Sequence, residues 1–187
     1  MSHDSQTFSF RLLLSGPDVT EAPTIDQLYE AGCDDALFGL RDQVQYAGFD
    51  RRAPSLAQAV LSAVRQIESV PEMRVLRVEP DNLVSASAIA RRTKRTRESV
   101  RLLIEGKRGP GRFPAPLSWV DAKKRLWQWS DVARWFADEL GDDTWATADA
   151  ETIAAINAAL ETRHRLEGLD KRLRDELAQL AGLTPAG

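Results

Sequence analysis

Cysteine and histidine are scarce in this chain, which has one cysteine and two histidines among 187 residues. The lone Cys33 cannot form an internal disulfide, which fits a reducing compartment. Neither His3 nor His164 has a partner at metal-ligand spacing, so no zinc site of the usual kind is expected. Cys33 precedes Asp34 and Asp35, whose charges disfavour a nucleophilic thiolate. We therefore expect no catalytic residue, no metal, no cofactor and no enzymatic activity.

Long apolar runs are lacking as well. No run approaches the ~18 residues that a membrane-spanning helix requires. The N-terminus has no basic segment followed by an apolar one, as a secretory signal would. We therefore expect a cytoplasmic protein without a membrane partner. The hydrophobic content of 43% and the charged content of 28% are typical of globular proteins, and the length allows one domain or two small ones.

The first 80 residues alternate between strand-like and helix-like patterns. Strands are predicted at 7–15, 36–40, 43–49 and 74–79, and Phe8, Phe10 and Leu12 alternate in the first of them. Helices are predicted after Thr24 and Ser55, both suitable N-cap residues. The resulting β-α-β-β-α-β order predicts an α+β fold in which residues 1–80 form a ferredoxin-like domain. One sheet face should stay open, so we expect this domain to serve dimerisation or to bind an effector or partner.

A helical region is predicted near the C-terminus, from about Asp149 to Leu180, within a segment of residues 148–182. Its Leu and Ile residues recur in steps of three and four, which is typical of a coiled-coil seam. Gly168 interrupts the seam, so one imperfect helix and a helical hairpin both remain possible. We expect the segment to serve oligomerisation. Asn157 either sets the register at a buried position or faces solvent.

Basic residues are concentrated in the middle of the chain. From Arg91 to Arg134 there are 13 Lys/Arg and four Asp/Glu, a net charge of +9. Because the whole chain carries −3, the remainder sums to −12. Such asymmetry indicates a binding site for a polyanion.

Two short helices are predicted in this basic region. Ser85 or Ser87 can cap the first, and the second runs from Thr96 or Arg97 to about 105, before a stop at Gly106. The spacing of Ala90, Lys94 and Val100 resembles the helix-turn-helix family, with a small residue at the helix crossing, a turn residue four on and a β-branched residue six further. That family usually has Gly at the turn, because the position tends to need a positive φ.

The residues that follow extend the resemblance. Phe113-Pro114-Ala115-Pro116 is followed by a hairpin predicted across Asp121–Lys124, and then by Trp127-x-x-Ser130-Asp131-Val132-x-x-Trp135. This order resembles the winged helix-turn-helix of MerR-like, phage AlpA-like and excisionase-like DNA-binding proteins, over about residues 83–140. The resemblance implies that Ser130 caps the last helix. It also implies that Trp127, Trp129, Trp135 and Phe136 pack the wing onto the helices, although the tryptophans could also form a stacking platform for nucleic acid.

The resemblance implies specific DNA contacts. The helix at about 96–105 would enter the major groove, where Arg97, Glu98 and Arg101 would read bases. Thr96 and Ser99 are short donors for phosphates or base edges. The other implied contacts are basic and would neutralise the backbone: Arg91, Arg92, Lys94 and Arg95 around the turn, Lys107, Arg108 and Arg112 around the Gly-Pro-Gly loop, and Lys123, Lys124 and Arg125 on the wing at about 117–127.

These patterns predict a sequence-specific protein that binds double-stranded DNA, a bacterial transcription regulator that acts as a homodimer with a possible effector or protein partner. An alternative is a protein-interaction adaptor, such as an antitoxin or phage-defence regulator. Its acidic regions, Glu21 to Asp50 and Asp138 to Glu151, would then cap a basic partner. A third possibility is an architectural or excision factor that bends DNA.

Overall fold

The computed structural model describes residues 5–79, 82–117, 125–142 and 147–182. Within these ranges the chain is a mixed α+β protein with a four-stranded antiparallel sheet, a two-stranded sheet and seven helices. The first sheet has the order β2-β3-β1-β4. Its elements are β1 (Gln6–Ser15), α1 (Ala22–Glu30), β2 (Ala36–Arg41), β3 (Val44–Ala53), α2 (Leu56–Ser69) and β4 (Arg74–Glu79).

One face of this sheet is buried beneath α2. The predicted alternation of β1 is confirmed, since Phe8, Phe10 and Leu12 all belong to the core. Ser55 caps α2 as predicted, because its hydroxyl accepts a hydrogen bond from the Gln58 amide at 3.3 Å. The helix buries the apolar residues whose i, i+3, i+4 spacing indicates one face: Leu56, Ala59, Val60, Ala63, Val64 and Ile67.

Two details of this unit differ from the sequence-based expectation. α1 begins at Ala22, and Thr24 lies buried inside the helix without capping it. Pro23 in the first turn favours the earlier start, because its fixed φ suits that position. In β4 a bulge interrupts simple alternation, so Val75 and Val78 both reach the core although they are three residues apart.

Arg51 of β3 is buried although it is charged. Its Nε and NH2 groups donate to the two carboxylate oxygens of Asp35 at 2.8 and 2.7 Å. Its NH1 group donates to Ser62 at 3.1 Å and to Gln66 at 2.6 Å. The guanidinium also lies 4.7 Å from the centre of the Phe49 ring. Because each nitrogen has an acceptor, the buried charge is tolerated, and the side chain joins β3 to α2 and to the turn before β2.

Cys33 is fully buried in the same core. Burial is the main cause that raises the pKa of its thiol to about 11. Asp35 and Asp34 raise this pKa further, while the neighbouring Arg51 lowers it. The thiolate is therefore disfavoured mainly by desolvation. The adjacent carboxylates, on which the sequence-based prediction rests, have a smaller effect.

The middle of the chain forms a second core around a small antiparallel sheet. Its elements are β5 (Leu83–Ser85), α3 (Ala86–Arg92), α4 (Arg97–Ile104), β6 (Leu126–Gln128) and α5 (Trp129–Leu140). Trp127 and Phe136 are the largest side chains that this core buries completely. The hairpin predicted across Asp121–Lys124 lies outside the described residues.

The predicted cap of α5 is wrong. The helix begins at Trp129, and Ser130 is buried within its first turn. Asn82 satisfies the free amides instead: its carbonyl accepts from the Trp129 N–H at 2.5 Å, and its side-chain oxygen accepts from the Ser130 N–H at 2.9 Å. Since β5 follows Asn82 directly, the pairing of β5 with β6 brings this residue to the start of α5.

The C-terminal region consists of two helices, α6 (Thr147–Glu167) and α7 (Lys171–Leu180), with Asp170 capping the second. Of the two possibilities left by the sequence, the break at Gly168 produces separate helices. The apolar seam of α6 packs within the chain, because Leu160 is part of the first core and Ile153 and Ile156 pack against it.

Asn157 fixes α6 to the edge of the large sheet. Its side-chain oxygen accepts from the Val78 N–H at 2.7 Å, and its amide donates to the Val78 carbonyl at 2.9 Å. One turn and a half further on, Arg163 donates to both carboxylate oxygens of Glu68, at 2.8 and 2.6 Å. Asn157 is therefore a structural residue. It bonds to the backbone groups of Val78 that a neighbouring strand would otherwise pair with at the edge of β4.

Replacement of Arg51 by Met should destabilise the protein strongly. The change leaves Asp35 and Gln66 without their buried donor, and loss of one partner of such a pair costs about 3–5 kcal/mol. Urea denaturation measures the free energy of unfolding. Arg52→Met is the matched control, because Arg52 is the exposed neighbour on the same strand and should change stability by less than about 0.5 kcal/mol. Equal effects of the two changes would contradict the structural role of Arg51.

Asn157→Ala should also destabilise the protein, by about 1–3 kcal/mol, since it leaves the N–H and C=O of Val78 without partners. Denaturant unfolding followed by far-UV circular dichroism measures the effect. His164→Ala, at an exposed position of the same helix, serves as the control and should be close to neutral. If both variants unfold like the parent chain, the edge contact does not stabilise the fold.

Candidate nucleic-acid interface

A tight turn connects α3 to α4. Lys94 has a φ of +50°, so the turn uses the left-handed conformation that the resemblance to helix-turn-helix proteins implies and that glycine adopts most easily. The Arg95 N–H donates to the Ala90 carbonyl at 2.9 Å, and the Thr93 hydroxyl donates to the Ile89 carbonyl at 2.8 Å. These bonds close the end of α3 and fix the direction in which α4 leaves.

Both helices of the pair are capped by hydroxyl groups. Of the two candidates at the first helix, Ser85 is the cap, since it accepts from the Ala88 N–H at 3.2 Å. Thr96 caps α4 by accepting from the Ser99 N–H at 3.1 Å. Behind the caps, Ile89, Val100 and Leu103 are buried where the two helices pack together. The remaining face of each helix is therefore free to carry polar side chains.

The outer face of α4 presents Arg97, Glu98 and Arg101 to solvent. Arg101 is enclosed by carboxylates: its Nε and NH2 groups donate to the two oxygens of Glu98 at 2.9 and 2.6 Å, and its NH1 group donates to Glu105 at 2.6 Å. A bidentate contact of Arg101 with guanine would require this guanidinium to leave its carboxylates. Arg97 is therefore the more accessible of the two arginines that the sequence predicts as base readers.

The cations around Arg101 shift the pKa values of the neighbouring carboxylates. The hydrogen bond from Arg101 holds the pKa of Glu98 below its usual value, and bonds from Lys107 and then Arg101 do the same for Glu105. In turn, Glu98 and then Glu105 raise the pKa of Arg101. Sequence reasoning missed Glu105, although its spacing of four residues from Arg101 is the signal of a helical ion pair.

Several predicted phosphate contacts are engaged with the protein itself. Arg92 lies 5.0 Å from the Trp129 ring centre, Arg95 lies 5.2 Å from that of Phe136, and Arg125 lies 5.9 Å from that of Trp127. Arg92 and Arg95 are half-buried, so they cover the aromatic core.

Carboxylates in α5, directly after it and in α6 pair with arginines of the basic region. Arg95 pairs with Asp142 at 3.4 Å, Arg112 pairs with Glu139 at 3.4 Å, and Arg134 pairs with Glu151 at 2.5 Å. These pairs leave a smaller set of uncompensated cations. Within the described ranges, the following exposed basic side chains of this region have neither a hydrogen bond nor an ion pair: Arg91, Lys94, Arg97, Arg108 and Arg125.

The loop between α4 and β6 is anchored by indole groups. Trp135 donates its Nε1–H to the Gly111 carbonyl at 3.1 Å, and Trp127 donates to the Pro114 carbonyl at 3.0 Å. Phe113 lies between the two rings, at 4.9 Å from Trp135 and 6.3 Å from Trp127. Because both tryptophans are buried, they serve packing rather than base stacking.

The predicted wing is described only at its base. The Leu117 N–H donates to the Leu126 carbonyl at 2.8 Å, which brings the two ends of the segment together. Arg125 stands exposed beside this bond. Lys123 and Lys124 lie outside the described residues.

Comparison with protein-family models, with curated proteins and with solved structures found no significant match to this chain. Among the described helices, none is long and apolar enough to cross a membrane. The described side chains include no group of three or more His, Cys, Asp or Glu residues that would hold a metal ion.

Glycine should be more stabilising than alanine at position 94, although it is less stabilising inside a helix. At the left-handed turn, Lys94→Gly should exceed Lys94→Ala in free energy of unfolding by about 1 kcal/mol, because alanine keeps the strain of its Cβ. At position 91, inside α3, Arg91→Gly should fall below Arg91→Ala by about 1 kcal/mol. Urea denaturation of the four variants measures both differences. The same sign at both positions would contradict the turn.

Proposed function

We propose that this protein is a sequence-specific DNA-binding protein and a transcription regulator. Residues 82–142 act as a winged helix-turn-helix, with α4 as the recognition helix and the segment around β6 as the wing. The observation that carries the proposal is the left-handed turn at Lys94 between two hydroxyl-capped helices. This turn directs α4 so that its exposed face lies beside the uncompensated cations of the same unit, as major-groove binding requires.

The other two segments are proposed to support this unit. Residues 6–79 act as a ferredoxin-like domain, a proposal supported by the β-α-β-β-α-β chain order and by the β2-β3-β1-β4 strand order. α6 contacts both cores, because Ala150 belongs to the second and Leu160 to the first. The DNA-binding unit is thus attached to the sheet domain by a packed helix as well as by the covalent chain.

The exposed cations divide into two roles in this proposal. Arg97 lies at the N-terminus of α4, where side chains of a recognition helix reach base edges, so we assign it to direct readout. Arg91, Lys94 and Arg108 lie around the turn and the following loop, where they neutralise phosphates. Glu98 and Arg101 act as a pair, since Glu98 holds the arginine until DNA offers other acceptors.

The acidic residues favour this proposal over a protein adaptor. In the segment from Asp138 to Glu151, three carboxylates are bound by arginines of the same chain, at Glu139, Asp142 and Glu151. In the earlier segment, Asp35 is bound by Arg51. Carboxylates that are engaged within the chain are less available to cap a separate basic partner.

Arg97→Ala and Arg91→Ala should weaken DNA binding in different ways. A duplex enriched from genomic fragments by the purified protein is compared with a scrambled duplex at two salt concentrations. Arg97→Ala should cost about 1–3 kcal/mol on the enriched site and little on scrambled DNA. Arg91→Ala should weaken both alike and lower the salt slope by about one. Arg172→Ala, an exposed arginine of α7, is the control and should change neither.

The selection itself decides between DNA-binding functions. An enriched motif bound at least ~10³-fold more tightly than scrambled DNA supports a specific regulator. Salt-sensitive binding without enrichment would replace the regulator by an architectural factor. Absence of binding at low salt would overturn the DNA proposal.

A further inference from the structure

The two edges of the large sheet differ in whether their outer backbone groups have hydrogen-bond partners. On β4, the Val78 N–H and carbonyl bond to Asn157, the Val75 N–H donates to Glu68 at 3.0 Å, and the Val75 carbonyl accepts from Arg163 at 3.3 Å. Side chains therefore satisfy the outer backbone of this edge. On β2, the described part of the chain provides neither a further strand nor a side chain that bonds to the outer backbone.

The uncovered edge is also apolar on both faces. Leu37 is 79% exposed on the open face of the sheet, and Leu40 is 51% exposed on the helix face. Phe38 is half-buried beside them, and its ring centre lies 6.2 Å from that of Tyr29 in α1. Proteins usually protect an edge strand with charges, proline or a covering element. The interior of β2 has none of these, so its outer backbone is open to pairing with a strand of another molecule.

We propose that β2 pairs antiparallel with β2 of a second copy of this chain, with Phe38 on the two-fold axis. This register places Leu37 of each copy opposite Gly39 of the other, and Ala36 opposite Leu40, so that every residue faces another on the same side of the sheet. Gly39 lies against the Tyr46 ring, since a Cβ there would come within 2.7 Å of the tyrosine oxygen. The incoming Leu37 thus packs beside an aromatic surface.

The charged residues at the two ends of β2 also favour antiparallel pairing. The exposed Asp34 precedes β2 and Arg41 ends it, so the strand is acidic at one end and basic at the other. Antiparallel pairing brings Arg41 of each copy to the acidic turn of the other. Arg41 is available for this contact, because its ion pair with the exposed Asp42 is long at 3.8 Å. The interface is isologous, with the same patch contributed by both copies.

The pairing would join the two sheets into one of eight strands. Since neighbouring strands lie about 4.8 Å apart, the two β4 strands would stand seven steps, or roughly 34 Å, from each other. The proposed DNA-binding units follow β4 at the outer ends of this sheet. If the proposed function holds, the half-sites on DNA should therefore be separated by one helical turn or more, which is about 34 Å or longer.

Disulfide trapping of the full chain tests this register without DNA. In the proposed dimer, the Cα atoms of the two residues 38 lie about 4.5–5.5 Å apart, within the range that a disulfide requires. Phe38→Cys should therefore cross-link to itself under mild oxidation. Leu37→Cys and Leu40→Cys should not, because each lies opposite a different residue. The parent chain is the control, since Cys33 is fully buried and should remain free.

Sedimentation equilibrium provides a second measurement that does not depend on the cysteine variants. Strands of six residues make a small interface, so we expect a monomer–dimer equilibrium between ~10 and ~500 μM. Leu37→Lys should weaken it at least ~10-fold, whereas Leu61→Lys, at an exposed position of α2, should leave it unchanged.

A monomer throughout this range, or a dimer that Leu37→Lys leaves intact, would overturn the proposal. Cross-linking through Leu37→Cys or Leu40→Cys in place of Phe38→Cys would overturn the register. A dimer trapped at position 38 that binds no DNA would uphold the edge pairing and reject only the proposed function.

Discussion

The hydrogen bonds between Asn157 and Val78 are the contact on which the arrangement of the whole chain depends. They cover the edge of the large sheet with α6, a helix that is distant in sequence. Ala150 of the same helix is buried in the second core. Without them, two buried backbone groups of β4 would lack partners, and α6 would be held to the first core by apolar contacts and by the bonds of Arg163 to Glu68 and to the Val75 carbonyl. The Asn157 side chain thus contributes both to the covering of the sheet edge and to the attachment of the second core.

Ion pairing then determines which part of the basic region remains cationic. Arginines at 95, 112 and 134 are held by carboxylates that follow α4, and Arg101 is held by Glu98 and Glu105. Exposed pairs of this kind contribute little to stability, since solvent screens them and ordering of the side chains costs entropy. Their larger effect is on the surface: the net charge of the region is high, but the cations left free of carboxylates lie mainly around the turn and the start of α4.

The sequence predicts local structure well and long-range contacts poorly. Periodicity locates α2, and the resemblance of the Ala90, Lys94 and Val100 spacing to helix-turn-helix proteins implies the left-handed turn, because both signals depend on neighbours within one or two helical turns. The sequence predicts Ser130 as the cap of α5, whereas Asn82 caps the helix from 48 residues away through the pairing of β5 with β6. The seam of α6 resembles an oligomer interface for the same reason, because sequence spacing does not reveal which surface covers an apolar stripe.

Lys94 shows that local stability does not by itself explain this turn. Glycine would adopt a φ of +50° with less strain, yet the chain carries a lysine there, exposed and without an ion pair among the described residues. A strained residue of this kind persists where the surrounding structure over-determines it, and such positions concentrate at functional sites. The bonds from Arg95 and Thr93 to α3 hold the turn closed whatever its side chain. The backbone therefore tolerates the strain, while the ammonium group adds a cation at the point where α3 and α4 meet. Its placement is explained if that point faces a polyanion, and local packing offers no other reason for it.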